Sequence, residues 1–238
     1  LLKDKAGSIC VMDIYTGEII AMHSSPSFNP NDFLYGIGLK EWKDLNSNPF
    51  KPLINKTISG LYSPGSTIKP IVALSALEND VIKPSMQVFC SDSIDFYEQK
   101  FHCWKKNGHG YVNLVDALRE SCDVYFYELA RKVGVKRIGK MATQLGLGQS
   151  YDLPLTGLSK GFVPTKKWKK ERFGTSWLVG DTLNVGIGQG YSLATPLQLA
   201  VMTARIASGK KVIPNLIKTP NMDIEIAKAL SIRKDTLD

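Results

Sequence analysis

The chain has 238 residues, of which 43% are hydrophobic and 22% are charged, a balance that is ordinary for a globular protein with one good core. Its formal net charge of +8 at pH 7 favours an acidic partner, such as nucleic acid, an anionic lipid surface or an anionic polymer. No apolar run approaches the ~20 residues of a membrane-spanning helix, and no signal peptide is visible. Because Leu1 is not a natural start, we expect a piece of a longer protein.

Residues 7 to 23 predict a β-hairpin. β-Branched residues lie on both sides of the turn signal Tyr15-Thr16-Gly17-Glu18. Cys10 falls within this hairpin, so we expect it in the core. Residues 24 to 57 contain four prolines and predict a loop-rich segment that crosses the surface.

The apolar run from Ile68 to Leu77 follows the turn signal Pro64-Gly65 and predicts a helix that is buried on most faces. Ser66 occupies the expected N-cap position, and Pro70 falls early enough for the first turn to tolerate it. Lys69 lies three residues after Ser66, so the two side chains are expected on the same face.

Lys69 is unusual because a lysine at the buried start of an apolar helix is costly. Desolvation and the positive end of the helix dipole both disfavour its ammonium form. A neutral amine beside a hydroxyl can take the hydroxyl proton and make Ser66 a nucleophile. The alternative is a capping serine followed by a lysine that reaches solvent. The Ser-x-x-Lys pattern alone does not decide between them, because it is common by chance.

Four more helices are predicted after residue 112, and strands followed by many helices favour an α+β fold. The four helices cover residues 113–119, 124–133, 136–145 and 195–208, with Asn113 and Thr195 as N-caps and Pro196 at a first helical position.

Between Ser159 and Gly180 the chain is irregular and basic. Thr165 is an N-cap candidate before the basic run Lys166-Lys167-Trp168-Lys169-Lys170. A solvated basic face is favoured over a binding patch.

Two short segments are candidates for chemistry. Ser121-Cys122-Asp123 either caps the following helix, through Ser121 or Asp123, or presents a hydroxyl and a carboxylate that relay a proton and orient a lysine. Taken alone, the segment favours the capping interpretation. The segment 186–190, Gly-Ile-Gly-Gln-Gly, is a weak match to a dinucleotide fingerprint, since its third glycine is out of place and no acidic residue follows at the required distance. A flexible glycine-rich turn near Ser66 is favoured.

Taken together, Ser66-Thr67-Ile68-Lys69, Ser121-Cys122-Asp123 and the segment 186–198 resemble the penicillin-binding transpeptidases. Segments 26–31, 53–56 and 104–110 resemble the class B, elongation-specific type. The resemblance runs from about residue 5 to residue 218. It implies the α+β fold shared by penicillin-binding proteins and β-lactamases, an antiparallel sheet with helices on both sides, here lacking its C-terminal strands.

The resemblance also implies a function: a peptidoglycan D,D-transpeptidase that cross-links D-Ala-D-Ala stem peptides through a serine acyl-enzyme during wall elongation. Ser66 would be the nucleophile, Lys69 the general base, Ser121 the proton relay, and Asp123 the residue that orients them. β-Lactams would acylate the same serine. The full-length protein would face the periplasm from the inner membrane, with membrane wall-elongation proteins as partners, no nucleic acid and no organic cofactor.

One departure from the family concerns its third motif. The 238 residues contain no Lys-[Ser/Thr]-Gly, which in the family supplies a lysine, a carboxylate-binding hydroxyl and one oxyanion donor. We therefore expect residues 1–238 to be an incomplete transpeptidase domain that is inactive as it stands, because losing one oxyanion donor alone costs on the order of 10²–10³ in rate. The alternatives are a serine β-lactamase, or a non-catalytic scaffold in a wall-synthesis complex.

Three of the four cysteines lie close together in the sequence with a histidine: Cys90, Cys103 and Cys122 with His109. The spacing is not that of a zinc finger, and one disulfide with a spare thiol is an alternative for a secreted domain. Some elongation-type members resemble this chain in having metal-binding side chains at these four positions, which implies a structural zinc ion. Such an ion would brace the residues on either side of Cys122. His23 and His102 are given no role.

Overall fold

The structure, a computed structural model, describes residues 2, 5–217 and 227–237. The chain forms two compact units. The first contains residues 1–62, 149–161 and 194–229, and the second contains residues 63–148, 162–193 and 230–238. Within the described ranges, no helix is both long enough and apolar enough to cross a bilayer.

The first unit begins with the predicted hairpin, which the structure confirms. Strands β1 (Gly7–Met12) and β2 (Ile19–Ser25) pair antiparallel, with a bulge after Val11. The pairing stops at Asp13, because its carboxylate accepts the backbone N–H groups of Tyr15 and Thr16 and so closes the turn.

Residues 24 to 57 contain more helix than the sequence indicated. A 3₁₀ turn covers Pro30–Phe33, and helix α1 covers Leu39–Ser47. The prediction of an irregular segment was therefore wrong for these residues. The surrounding prolines suggested a loop, and α1 has neither a side-chain cap nor a buried residue to strengthen its signal.

Helix α8 (Pro196–Ser208) supplies much of the core of the first unit. It begins with the predicted cap, in which Thr195 and Gln198 satisfy each other's backbone N–H groups. Partly buried Cys10 packs against this core, as predicted. The core residues are Ile19, Ile58, Leu153, Leu197 and Val201.

The second unit is mainly helical. Helix α2 (Lys69–Glu78) is buried along most of its length, as predicted from its apolar run, and it packs against α4 and α5. Helix α4 also packs against α7. The remaining helices are α3 (Leu114–Arg119), α4 (Asp123–Val133), α5 (Val135–Gln144), α6 (Lys166–Phe173), α7 (Val179–Gly186) and α9 (Lys234–Leu237).

Two short antiparallel strand pairs complete the second unit, and together with the helices they confirm the α+β class. Strand β3 (Val88–Cys90) pairs with β6 (Gly110–Val112), and β4 (Ser93–Phe96) pairs with β5 (Gln99–His102). Gly108 allows the connection to pass close to β3, because a Cβ there would lie 2.0 Å from the carbonyl oxygen of Cys90.

Candidate active site

Ser66 lies in a tight turn, not at a helix cap. A 3₁₀ turn covers Gly65–Ile68 and runs directly into α2, whose N-cap residue is Ile68. The predicted capping role of Ser66 is therefore wrong, because the backbone around it is already helical. The turn is held by Thr67, whose hydroxyl donates to the carbonyl oxygen of Pro64 at 2.6 Å. The Ser66 hydroxyl is thereby free to contact another side chain.

The glycine-rich segment supports this turn from behind, as the sequence predicted. The backbone N–H of Gly65 donates to the carbonyl oxygen of Gly188 at 2.9 Å. Gly188 has φ +73°, and a Cβ at this position would lie 2.1 Å from the carbonyl oxygen of Gly65. Only glycine therefore permits this approach of the two backbones.

Ser121 projects from the junction between α3 and α4. Its φ of +53° is in the left-handed region that a serine rarely adopts. The hydroxyl of Ser121 donates to Ser66 Oγ at 2.9 Å. Neither Ser121 nor Asp123 caps α4, whose N-cap residue is Cys122 without a side-chain hydrogen bond, so the capping alternative for this segment is wrong.

Lys69 is buried, with 2% of its surface exposed, and it ties this junction to α2. Its Nζ donates to the carbonyl oxygen of Ser121 at 2.8 Å, to Ser121 Oγ at 2.9 Å and to Asp123 Oδ1 at 2.7 Å. Three acceptors around one nitrogen, including a carboxylate, match the three donors of an ammonium group. The hydrogen-bonded path from Ser66 to Lys69 passes through Ser121.

A cavity of about 670 Å³ opens in front of Ser66. Two of its lining residues, Tyr127 and His102, had no signal in the sequence, because neither belongs to a recognisable motif. A third, Gln189, lies in the glycine-rich segment 186–190. Burial raises the pKa of Tyr127, and the nearby charge of Asp123 raises it further. The other lining residues are Gly65, Cys103, Trp104, Ser121, Asp123 and Ile187.

The predicted metal-binding side chains meet beside this cavity. The ligand atoms of Cys90, Cys103, His109 and Cys122 all lie within 4.8 Å of one another, and the cysteines are thiols, not a disulfide. His109 Nδ1 lies 3.6 Å from the sulfur of Cys90 and 3.5 Å from that of Cys103. Around tetrahedral zinc, with Zn–S about 2.3 Å and Zn–N about 2.0 Å, neighbouring sulfur and nitrogen atoms are about 3.5 Å apart. The donor set therefore fits zinc in type, and the two nitrogen–sulfur distances fit it in spacing.

Burial shifts the pKa values of the side chains in this cluster. Burial raises the pKa values of the Cys90 and Cys122 thiols above the usual value. Burial also lowers the pKa of His109, and the positive charge of Lys105 lowers it further. A lowered pKa favours the neutral imidazole, which is the form that binds a metal, whereas thiols must lose a proton on binding.

The Ser-x-x-Lys spacing of Ser66 and Lys69 is also that of class A β-lactamases and penicillin-binding proteins. The family model described as penicillin binding protein transpeptidase domain matches residues 7–237. The chain belongs to this family, and the recognition made from the sequence motifs is confirmed.

Curated relatives and solved structures agree with this family. The chain is 41% identical to peptidoglycan D,D-transpeptidase MrdA of Acinetobacter baumannii, over 91% of this chain and 33% of that protein. It is 37% identical to MrdA of Escherichia coli K12, over 94% of this chain and 36% of that protein. The chain thus spans about a third of the length of these relatives.

Two solved structures are similar over nearly the whole chain. A crystal structure of Pseudomonas aeruginosa PBP2 in complex with WCK 5153 matches with a TM-score of 0.91 and 38% identity, over 100% of this chain and 56% of that one. A complex between PBP2 and MreC from Helicobacter pylori matches with a TM-score of 0.91 and 37% identity, over 99% of this chain and 43% of that one.

Proposed function

We propose that this chain carries the nucleophile of a peptidoglycan D,D-transpeptidase that acts in wall elongation. The observation that carries the proposal is the hydrogen-bonded series Ser66–Ser121–Lys69–Asp123 at the base of the cavity. It joins a hydroxyl nucleophile to a buried amine, which is the combination that serine acyl transfer requires.

Acylation begins when Ser66 Oγ attacks the carbonyl carbon of the penultimate D-alanine of a stem peptide. In the reactive state the Lys69 amine has released one proton to water, and Asp123 keeps it aimed at Ser121. The hydroxyls then turn, so that Ser66 donates to Ser121 Oγ and Ser121 donates to Lys69 Nζ. The Ser66 proton passes to the Ser121 oxygen, while the Ser121 proton passes to Lys69. The backbone N–H of Ser66 supplies one donor to the developing oxyanion.

The same relay then runs in reverse. Lys69 returns a proton through Ser121 to the nitrogen of the terminal D-alanine, the C–N bond breaks, and D-alanine leaves. The amino group of a second stem attacks the ester carbonyl, gives its proton to the relay and releases Ser66, so that a cross-link forms. β-Lactams carry a cyclic amide in place of the dipeptide bond, and they acylate Ser66 by the same step without losing a fragment.

We further propose that Cys90, Cys103, His109 and Cys122 hold a structural zinc ion. Zinc would supply a fixed tetrahedral anchor, with no part in the proton transfers. Its support is the donor set and the spacing of its atoms. Because Cys122 lies between Ser121 and Asp123, an anchored Cys122 restrains both neighbours. Metal analysis of protein purified without a chelator tests this proposal: one zinc ion per chain is expected, and a metal-free protein that keeps its fold contradicts it.

We propose a location and partners from the relatives. One similar structure is a complex of PBP2 with MreC, and another is described as a peptidoglycan synthase complex that coordinates polymerization and crosslinking. Proteins of membrane-bound wall synthesis are therefore the partners that we assign, with the site facing the periplasm from the inner membrane. Co-purification of the full-length protein with such a synthase tests this assignment.

Labelling by a fluorescent penicillin tests the proposed function in the full-length protein. Wild type should be labelled covalently, and Ser66→Ala should lose all label while keeping its melting temperature. Equal labelling of the variant would contradict the proposal. The rival β-lactamase function predicts rapid loss of the bound label, and the scaffold function predicts no labelling of wild type.

A further inference from the structure

Trp104 connects the cysteine–histidine cluster to the Ser121 turn. It directly follows Cys103, and its indole packs edge-on against the His109 ring, with centroids 5.5 Å apart. The side chain is 61% exposed and lines the cavity beside Ser66. A tryptophan with this exposure contributes little to a core, so its polar contacts become the more informative feature.

The polar contacts of Trp104 all reach the segment that carries Ser121. The indole N–H is shared between the carbonyl oxygens of Glu120 and Ser121, each at 3.1 Å. The backbone N–H of Trp104 donates to Asp123 Oδ2, also at 3.1 Å. Because the Ser121 carbonyl oxygen also accepts from Lys69, both of its lone pairs are used.

The Ser121 turn needs such support. A non-glycine residue in the left-handed region is strained, and it persists only where the surroundings hold it. The position of the turn also matters for reactivity, because one hydroxyl must lie 2.9 Å from both Ser66 Oγ and Lys69 Nζ. A small rotation of the peptide units around Ser121 would break at least one of these contacts.

We propose that Trp104 is a positioning residue for acyl transfer: its indole N–H holds the Ser121 turn in the conformation in which the Ser121 hydroxyl bridges Ser66 and Lys69. The assignment rests on the proposed function, because it gives the indole a task in acylation of Ser66. It predicts that loss of the indole N–H slows acylation even when the shape of the ring is kept. It also predicts that the binding of penicillin before acylation is unchanged.

The test replaces Trp104 in the full-length protein with 3-benzothienylalanine, in which sulfur replaces the N–H and the ring shape is kept; Trp104→Phe is the simpler companion variant. Acylation by a fluorescent penicillin is measured over a range of concentrations, which separates the binding constant from the acylation rate constant. We expect the rate constant to fall about tenfold, the effect of one lost hydrogen bond, which leaves the Ser121 carbonyl oxygen with Lys69 as its donor and no longer tied to Trp104. The binding constant should stay within about twofold.

Trp177→Phe is the matched control. It removes an indole donor in the same unit, where Trp177 Nε1 donates to Thr182 Oγ1 at 2.8 Å, but it leaves the Ser121 turn intact. Its acylation rate constant should stay within about twofold of wild type. If the benzothienyl variant acylates as fast as wild type, or if Trp177→Phe slows as much as it does, the proposal is overturned.

A second readout does not depend on acylation. The indole N–H proton of Trp104 should exchange with solvent at least about tenfold more slowly than that of Trp42, because the former is held by two carbonyls. Exposure alone predicts the opposite order of exchange rates, because Trp104 is 61% exposed and Trp42 is 44% exposed. If the indole N–H protons of Trp104 and Trp42 exchange at equal rates, the proposal for Trp104 is overturned, whether or not wild type reacts with penicillin. If Trp104 exchanges slowly but wild type is not labelled by penicillin, only the proposed function is contradicted.

Discussion

Removing the carboxylate of Asp123 should destabilise the protein strongly. Lys69 and Asp123 form a buried pair with Nζ and Oδ1 2.7 Å apart, and their side chains are 3% and 13% exposed. Asp123→Ala leaves the ammonium group of Lys69, which is 3% exposed, without its counter-charge. Breaking one partner of such a pair costs about 3–5 kcal/mol. At about 2–4 °C per kcal/mol for a domain of this size, the melting temperature should fall by about 6–20 °C.

Asp123→Asn should cost less, about 1–3 kcal/mol. Its amide oxygen can still accept from Lys69, but its NH₂ group then faces the backbone N–H of Trp104, which donates to Asp123 Oδ2 in wild type. Glu171→Ala is the control, because the pair between Lys167 and Glu171 is exposed at 84% and 64%, with its charged atoms 3.7 Å apart. Loss of such a surface pair costs less than about 1 kcal/mol.

A double-mutant cycle in urea separates the pair from its surroundings. Lys69→Met should remove most of the penalty of Asp123→Ala, so the two changes together should cost at least about 1.5 kcal/mol less than the sum of the single changes. Costs that add to within about 0.5 kcal/mol would refute the argument, because they would show that the two side chains do not depend on each other.

Three further changes test other parts of the structure. Gly188→Ala should lower the rate of acylation by penicillin about 10²-fold or more, because its Cβ would lie 2.1 Å from the carbonyl oxygen of Gly65 and shift the Ser66 turn. Gly174→Ala is the control: Gly174 has a similar φ of +69°, but a Cβ there would meet no atom within 4 Å, so the acylation rate should be unchanged. Cys122→Ser should lower both the zinc content and the melting temperature. Removal of zinc from wild type by a chelator should lower the melting temperature in the same way. A melting temperature that does not change would contradict a structural role for the metal. Thr195→Ala should cost about 1 kcal/mol in urea unfolding through loss of a buried cap, and no measurable loss would contradict that cap.

Elements with strong local signals were predictable from the sequence. Asn113 and Thr195 cap their helices as expected, because the side-chain oxygen of each accepts a backbone N–H three residues later. Thr165 does the same for α6. The strands β3 to β6 were missed because they are only three or four residues long, too short for an alternating pattern. Helix α7 was missed because Leu178, at its N-cap, is not a capping residue; instead Asp181 accepts the Leu178 N–H.

The site was predictable in its members but not in its connections. The spacing of Ser66 and Lys69 showed that both lie near one helix start. It could not show that Ser121, 55 residues further along, stands between them, because that contact depends on the packing of α2 against α4. The left-handed conformation of Ser121 could not be predicted from the sequence, because glycine, not serine, is the residue that usually occupies such positions.

The central claim is that Ser66 is an acylated nucleophile, and peptide mapping by mass spectrometry tests it most directly. The full-length protein is incubated with benzylpenicillin, digested and sequenced. The account predicts one adduct of the intact drug, attached to Ser66 and retained after removal of free drug. An adduct on a different residue, or an unmodified Ser66 peptide in a folded protein, would contradict it.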